Sequence, residues 1–379
     1  MQTGFQRWFT LAAFVAIAFG VEVGNGKAKP FEKATHGKVA LKSVDVLGFG
    51  PDGVLLIGDG QAASIYAIQT GEGKSTKQLT GTIKGINGKL AAAIGAKPDG
   101  IVILDLAVNP VSGTTYFAVT KQDDKTPIVL TINGSGEVGL FNTDSVEYAR
   151  VQLPSKPESR ITKVSDVAWV DDKLIASAGA AEQFASKIFI AKTPLSHDAA
   201  GELHSAETYH VAHGKWETKA PMSTIMPFQE DGKTYVAGAF ACTPVVKYPV
   251  DALQPDANVK GTSVIELGSG NRPLDMFTYS KGGKEYVLSN TFRFHHARAP
   301  VGPSPYWTVK FERGLLDEEQ NINEKAVRRL AKDDPTAKKI TVVEAFHGVT
   351  QMDRLGETSV VALRENEDKS LDLAVLELP

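Results

Sequence analysis

Val44-Asp45-Val46, followed by Phe49-Gly50-Pro51-Asp52-Gly53-Val54-Leu55-Leu56-Ile57, is the stretch whose reading decides the fold. A short apolar run carrying an Asp meets a Gly-containing turn, and a second β-rich run follows. The phrase returns as Leu104-Asp105-Leu106-Ala107-Val108 with Ser112-Gly113 and Tyr116 to Val119. It returns again as Ser165-Asp166-Val167-Ala168-Trp169, Asp171-Asp172-Lys173 and Leu174 to Ser177. Weaker copies run from Met222 to Phe228 with Asp231-Gly232-Lys233 and Tyr235-Val236-Ala237, and from Leu274-Asp275-Met276 with Gly282-Gly283-Lys284 and Tyr286-Val287-Leu288. The last is Gln351-Met352-Asp353 with Gly356-Glu357 and Ser359 to Leu363. Hairpins recurring at roughly fifty- to sixty-residue spacing match the blade of a β-propeller. The expected fold class is therefore all-β, with six blades; the length around Lys74 to Gly88 leaves room for a seventh.

The chain has 379 residues, 42% hydrophobic and 22% charged, enough apolar content for a large core and too much for a disordered chain. A formal net charge of −3 supplies no basic field, which argues against nucleic acid as a partner. At the N-terminus Arg7 precedes an apolar run from Leu11 to Phe19, and Ala18-Phe19-Gly20 has the small-x-small form of a signal-peptidase site. Residues 1–20 are thus expected to be a signal peptide, 21–38 a mature N-terminal segment, and 39–379 a single propeller domain. That apolar run is too short for a stable transmembrane anchor. The expected location is periplasmic or secreted. Cys242 is the one cysteine, so no internal disulfide can form. A lone thiol in an oxidising compartment is buried, bound to a metal, or paired with another molecule.

Outer strands are expected at Ser64 to Ile68, Ile128 to Ile132, Lys187 to Ala191, Val245 to Pro249, Thr308 to Phe311 and Leu371 to Leu378, each after a hairpin of the repeat. Leu90 to Ile94 reads as a short helical turn, and Leu315 to Lys332 as an amphipathic helix inserted in blade five. Pro300, Pro303 and Pro305 make 299–305 a rigid loop. Ring closure is expected between Val39-Ala40-Leu41 and the strand Asp372 to Leu378, which would remove exposed sheet edges.

Propeller geometry places the segment entering each inner strand and the loop after each second strand on one face. Functional residues favour such loops above a rigid scaffold. His36-Gly37, His213-Gly214 and His347-Gly348 precede blades one, four and six. The loops after second strands carry Ala241-Cys242-Thr243 and Arg293-Phe294-His295-His296. Imidazoles with a thiolate are ligands for copper or zinc. The candidate metal residues are accordingly His36, His213, His347, Cys242, His295 and His296, with copper or another divalent metal as the cofactor. Asp45, Asp105, Asp166, Asp275 and Asp353 read as structural acceptors of backbone N–H groups. Arg272 reads equally as a surface ion-pair partner. There is no G-x-S-x-G elbow, P-loop or dinucleotide fingerprint, so no nucleotide cofactor is indicated, and no CxxCH motif points to covalent c-type haem.

Phe49 to Asp59, and Asp105-Leu106-Ala107-Val108-Asn109-Pro110 with Ser112 to Tyr116, resemble the blade phrase of the NHL, YVTN and gluconolactonase-type propellers. This resemblance implies the fold. Gluconolactonase-like enzymes hold a divalent metal with acidic and amide side chains, and that set is not matched residue by residue in this chain. Exported copper propellers such as nitrous oxide reductase are similar only in drawing histidines from several blades. The leading expectation is an exported propeller with a His/Cys-lined face that binds a metal and is redox-active. The alternatives are a non-catalytic propeller offering that face to a protein or glycan, and a metal-dependent lactonase or other hydrolase. The partner at the face is an unspecified small molecule or protein.

Overall fold

A computed structural model describes residues 29–182, 185–210, 214–217, 220–241, 244–253, 258–267, 270–298, 300, 302–317, 327–328 and 340–379. The expected signal peptide, His213, Cys242 and most of the expected 315–332 helix lie outside these residues.

Each hairpin of the repeat forms the two innermost strands of a blade. Blade two is complete in sequence: Ile101–Val108, Thr115–Lys121, Pro127–Ile132 and Val138–Leu140 pair antiparallel in that order. Blade three uses Ile161–Val170, Lys173–Ala180, Ser186–Lys192 and Glu202–His210. Blade four uses Met222–Glu230, Lys233–Phe240, Pro244–Pro249 and Thr262–Glu266. Blade five uses Asn271–Lys281, Lys284–Arg293, Tyr306–Glu312 and Ile340–Val342. The six expected outer strands are all third strands. The strong β-formers in them alternate between the two faces of each sheet, and both faces are covered by neighbouring blades.

Blades one and six borrow their fourth strands. Blade one, built on Val46–Phe49, Val54–Asp59 and Ser64–Gln69, is completed by Val146–Gln152, which follows blade two in the chain. Blade six, built on Val349–Leu355, Ser359–Glu365 and Leu371–Glu377, is completed by Thr82–Ile83. This corrects the expected closure. The C-terminal strand pairs with Thr82–Ile83 and not with residues 39–41, and Val39 N donates instead to Thr143 O at 2.9 Å. It also settles the stretch near Lys74–Gly88, which supplies the blade-six edge and leads into the helix Ile86–Ala93. Six blades are present.

The core shows the order of the ring. Buried side chains fall into clusters that each lie between two blades. Val46 and Leu56 pack with Val164 and Val167, joining one to three, and Leu47 and Ile57 pack with Ala107 and Tyr116, joining one to two. Leu106 and Phe117 pack with Leu355 and Val361, joining two to six. Three further clusters join three to four, four to five and five to six. Around the axis the blades therefore run two, one, three, four, five, six. The first two are exchanged relative to the chain. Of the expected blade-five helix, Arg313–Leu316 is a 3₁₀ turn and Val327–Arg328 is extended beside Ile265 and Glu266. Among the described residues the Ala-rich segment is the one α-helix, as expected.

Candidate functional site

Five inner-strand aspartates stitch the ring in one direction. Asp105 accepts Leu47 N at 2.7 Å, and Asp45 accepts Val164 N at 3.0 Å. Asp166 accepts Ile225 N at 2.8 Å and Thr224 Oγ1 at 2.6 Å. Asp275 accepts Met352 N at 2.9 Å, and Asp353 accepts Val108 N at 2.7 Å. The relay reads two to one to three to four, then five to six to two. It repeats the ring order found from the core. The structural reading of these residues holds, with the difference that each carboxylate locks a neighbouring blade rather than only its own turn. The inner strands carry register irregularities beside these positions, between Ile103 and Asp105, Val164 and Asp166, Met222 and Thr224, and Pro273 and Met276. An extra residue in one strand re-aims the next side chain, here across the junction. Asp45 also accepts Gly60 N at 2.9 Å, and a Cβ on Gly60 would lie 2.4 Å from that carboxylate. Only glycine fits there.

These carboxyls line an axial cavity of about 850 Å³. Its mouth on the entry face carries Leu104, Lys163, Ser165, Ser223, Arg272 and Gln351; Phe49, Trp169 and Glu357 lie at the hairpin end. Burial, with mutual repulsion, lifts Asp105 and Asp275 well above the usual carboxylate range. Burial pushes Asp166 and Asp353 up to about 6. Two polar atoms of the mouth, Ser223 Oγ and Gln351 Oε1, are covered from solvent without a hydrogen-bond partner. Such groups cost about 1–3 kcal/mol each. Arg272 is exposed and forms no ion pair among the described residues, so the expected surface salt bridge is not made.

The histidines are only partly brought together. His36 lies on Thr35–Gly37, an exposed strip paired with Val146–Gln152 at the outer edge of blade one, away from the axis. His347 sits where blade six begins, edge-on to Trp307 of blade five with ring centroids 6.1 Å apart. The Arg293 guanidinium lies 4.0 Å from the Trp307 ring centroid, and His296 N donates to Arg293 O at 3.3 Å. His295 is exposed and packs against Gly270. Burial lowers the pKa of both His296 and His347, aided at His296 by the Arg293 charge, so both rings are neutral near pH 7. The Nδ1 atoms of these two rings have no hydrogen-bond partner. Among the described residues, no three His, Cys, Asp or Glu side chains gather closely enough to hold one metal ion. Ser223, Tyr306 and Trp307 had no motif to mark them; only the repeat, which places 223 and 351 at the strand entries, pointed at the mouth.

No model of a known protein family matches the chain, and no curated protein is similar to it in sequence. Solved structures match it at low sequence identity and low TM-score. A putative oxidoreductase (glucose dehydrogenase) of Thermus thermophilus is 12% identical, covering 90% of this chain and 100% of its own, with a TM-score of 0.35. The PQQ-bound aldose sugar dehydrogenase of Streptomyces coelicolor is 13% identical over 91% and 99%, with a TM-score of 0.34. An exo-1,5-α-L-arabinanase from a bovine ruminal metagenomic library is 10% identical over 90% and 96%, with a TM-score of 0.36. At these scores the likenesses carry nothing about chemistry. The propeller assignment rests on the strand pairing of the chain itself.

Proposed function

We propose that this chain is an exported propeller that binds a small polar molecule in its axial funnel, entering from the face where the inner strands begin. The observation that carries the reading is the cavity of about 850 Å³ whose mouth is lined by the polar side chains of Ser223, Arg272 and Gln351. That volume lies within the range of about 300–1,000 Å³ typical of small-molecule sites. A few polar side chains converging on such a space are what orient a bound small molecule. The rigid ring supplies preorganisation, because every wall is an inner strand packed against its neighbours.

The test is a thermal-shift screen of polar metabolites, repeated on the Ser223→Val, Gln351→Leu double variant. A ligand at 100 times its dissociation constant adds about 2.7 kcal/mol, which raises the melting temperature by a few degrees. The expected result is a hit on the wild type that the double variant loses. Hits that survive in the double variant would place binding elsewhere. N-terminal sequencing of the exported protein should begin shortly after Gly20; cytoplasmic protein retaining Met1 would remove the export part of the reading.

A second reading keeps a metal, copper favoured, at the wall between blades five and six. It is supported by the neutral imidazoles of His296 and His347, whose Nδ1 atoms have no hydrogen-bond partner. His36 takes no part in it. Metal analysis of the wild type against His347→Ala decides: equal metal content in both removes this reading.

A further inference from the structure

The funnel shares a wall with a second space. A side chamber of about 400 Å³ opens on the same face between blades five, six and two, lined by Ile103, Leu274, Phe292, Tyr306, Leu363 and Leu371. Arg272, Leu274 and Gln351 border both spaces. One chamber is therefore rich in carboxyl and hydroxyl groups, the other is mostly hydrocarbon and aromatic, and Arg272 borders both.

We infer that the ligand of the funnel is an amphipathic organic acid, its carboxylate held by Arg272, its apolar group in the side chamber and its polar end towards the axis. This rests on the funnel being a binding site, as proposed above. Charge complementarity commits the occupant. Arg272 has no ion-pair partner among the described residues. The acid of the side chamber, Glu365, is already matched by Lys369 Nζ at 2.8 Å. Arg272 is also well placed. Its backbone pairs with Phe292 in the blade-five ladder and Pro273 follows it, so the stem of the side chain starts from a fixed point. A planar guanidinium takes a carboxylate through two parallel N–H donors, which a Lys ammonium does not reproduce. Tyr306, whose burial raises its pKa, remains a phenol able to donate a further hydrogen bond. The hydrocarbon walls have no such donors to offer a sugar ring. Apolar surface on the ligand is what they can remove from water.

The probes are 4-phenylbutyrate, its uncharged amide and acetate, titrated calorimetrically against the wild type, Arg272→Gln, Arg272→Lys and Ile103→Trp, with circular dichroism melts confirming folding. Loss of a charge-assisted hydrogen bond corresponds to about 10- to 100-fold in affinity. The wild type should prefer phenylbutyrate to the amide by at least about tenfold, and Arg272→Gln should erase that preference. Arg272→Lys should retain part of it. Ile103→Trp, which fills the side chamber, should weaken phenylbutyrate and leave acetate unchanged. Equal binding of acid and amide, or a preference that survives Arg272→Gln, overturns the inference. A neutral polar ligand that binds the wild type and is lost with Ser223→Val, while no acid binds, overturns it and leaves the funnel as a binding site. If neither class binds, both readings fall.

Discussion

Among the described residues, five of the six junctions around the ring are tied by an inner-strand aspartate, and the junction between blades four and five is not. Both halves of the tie are missing there. Thr224 follows its strand's register irregularity as Asp105 and Asp166 follow theirs, and Pro273 of the neighbouring strand has no N–H to give. Apolar burial holds this junction instead, with Met226, Phe228 and Val245 packed on Met276, Val287 and Phe311. Arg313 adds a bond to Gln229 O at 3.2 Å from the blade-five side. A carboxylate tie is thus dispensable for closing the ring. What it adds is registry between neighbours, at the cost of burying an acid. The untied junction is also where Ser223 and Arg272 flank the mouth. The repeat is thus broken beside the mouth of the funnel.

The comparison can be broken most severely at the ties. Gly60→Ala forces a methyl against Asp45 and the Lys163 backbone, and Asp105→Ala strands the buried Leu47 N–H. Each should cost about 2–3 kcal/mol in denaturant unfolding, whereas Asp105→Asn, which keeps an acceptor, should cost less than about 1 kcal/mol. A cheap Asp105→Ala would show that the relay is ornamental.

Next in size is pH. Asp166 and Asp353 titrate near 6 when folded against a reference of 3.8. Between those values the folded chain holds more protons than the unfolded one, so their contribution is full below about pH 4 and is lost as pH rises through 6. Relative to Asp166→Asn, the wild type should lose up to about 3 kcal/mol of stability between pH 4 and pH 7.5. A constant difference across that range would contradict the burial of this carboxyl.

The smallest effects belong to the untied junction. Thr224→Val removes one hydrogen bond to Asp166 and should cost about 1 kcal/mol. Pro273→Ala adds a buried N–H with no carboxylate facing it and should cost about 1 kcal/mol. A large loss from Pro273→Ala would mean that the junction depends on backbone rigidity rather than on its apolar core.

The blade hairpins and third strands were legible because each is a local pattern: an apolar run, a turn, a second run. The blade order was not. It depends on Thr82–Ile83 and Val146–Gln152 finding partners far along the chain, and a two-residue strand has no periodicity to read. The aspartates were legible as acceptors, but nothing in their spacing tells which blade they reach. Two copies of the His-Gly phrase do not mark the same point of the repeat, for a measurable reason. His347 lies two residues before its inner strand, whereas His36 lies ten residues before Val46. Ten residues of extended chain reach about 33 Å, ample to carry His36 to the rim. Arg272 carried its signal only as an Arg before a Pro at a strand entry, and the role proposed for it depends on the two chambers it borders.

The strand Leu371–Glu377 meets a partner made almost three hundred residues earlier, and Tyr279 Oη donates to Pro379 O at 2.6 Å beside it. During synthesis, blade two therefore waits with one flank bare until the last blade emerges, since its neighbour on that side is blade six. The ring cannot grow as a simple procession from first blade to last. Its long-range pairing belongs to the slow, exposure-prone class of topologies, and trimming the final strand would uncover Thr82–Ile83 and blade two together.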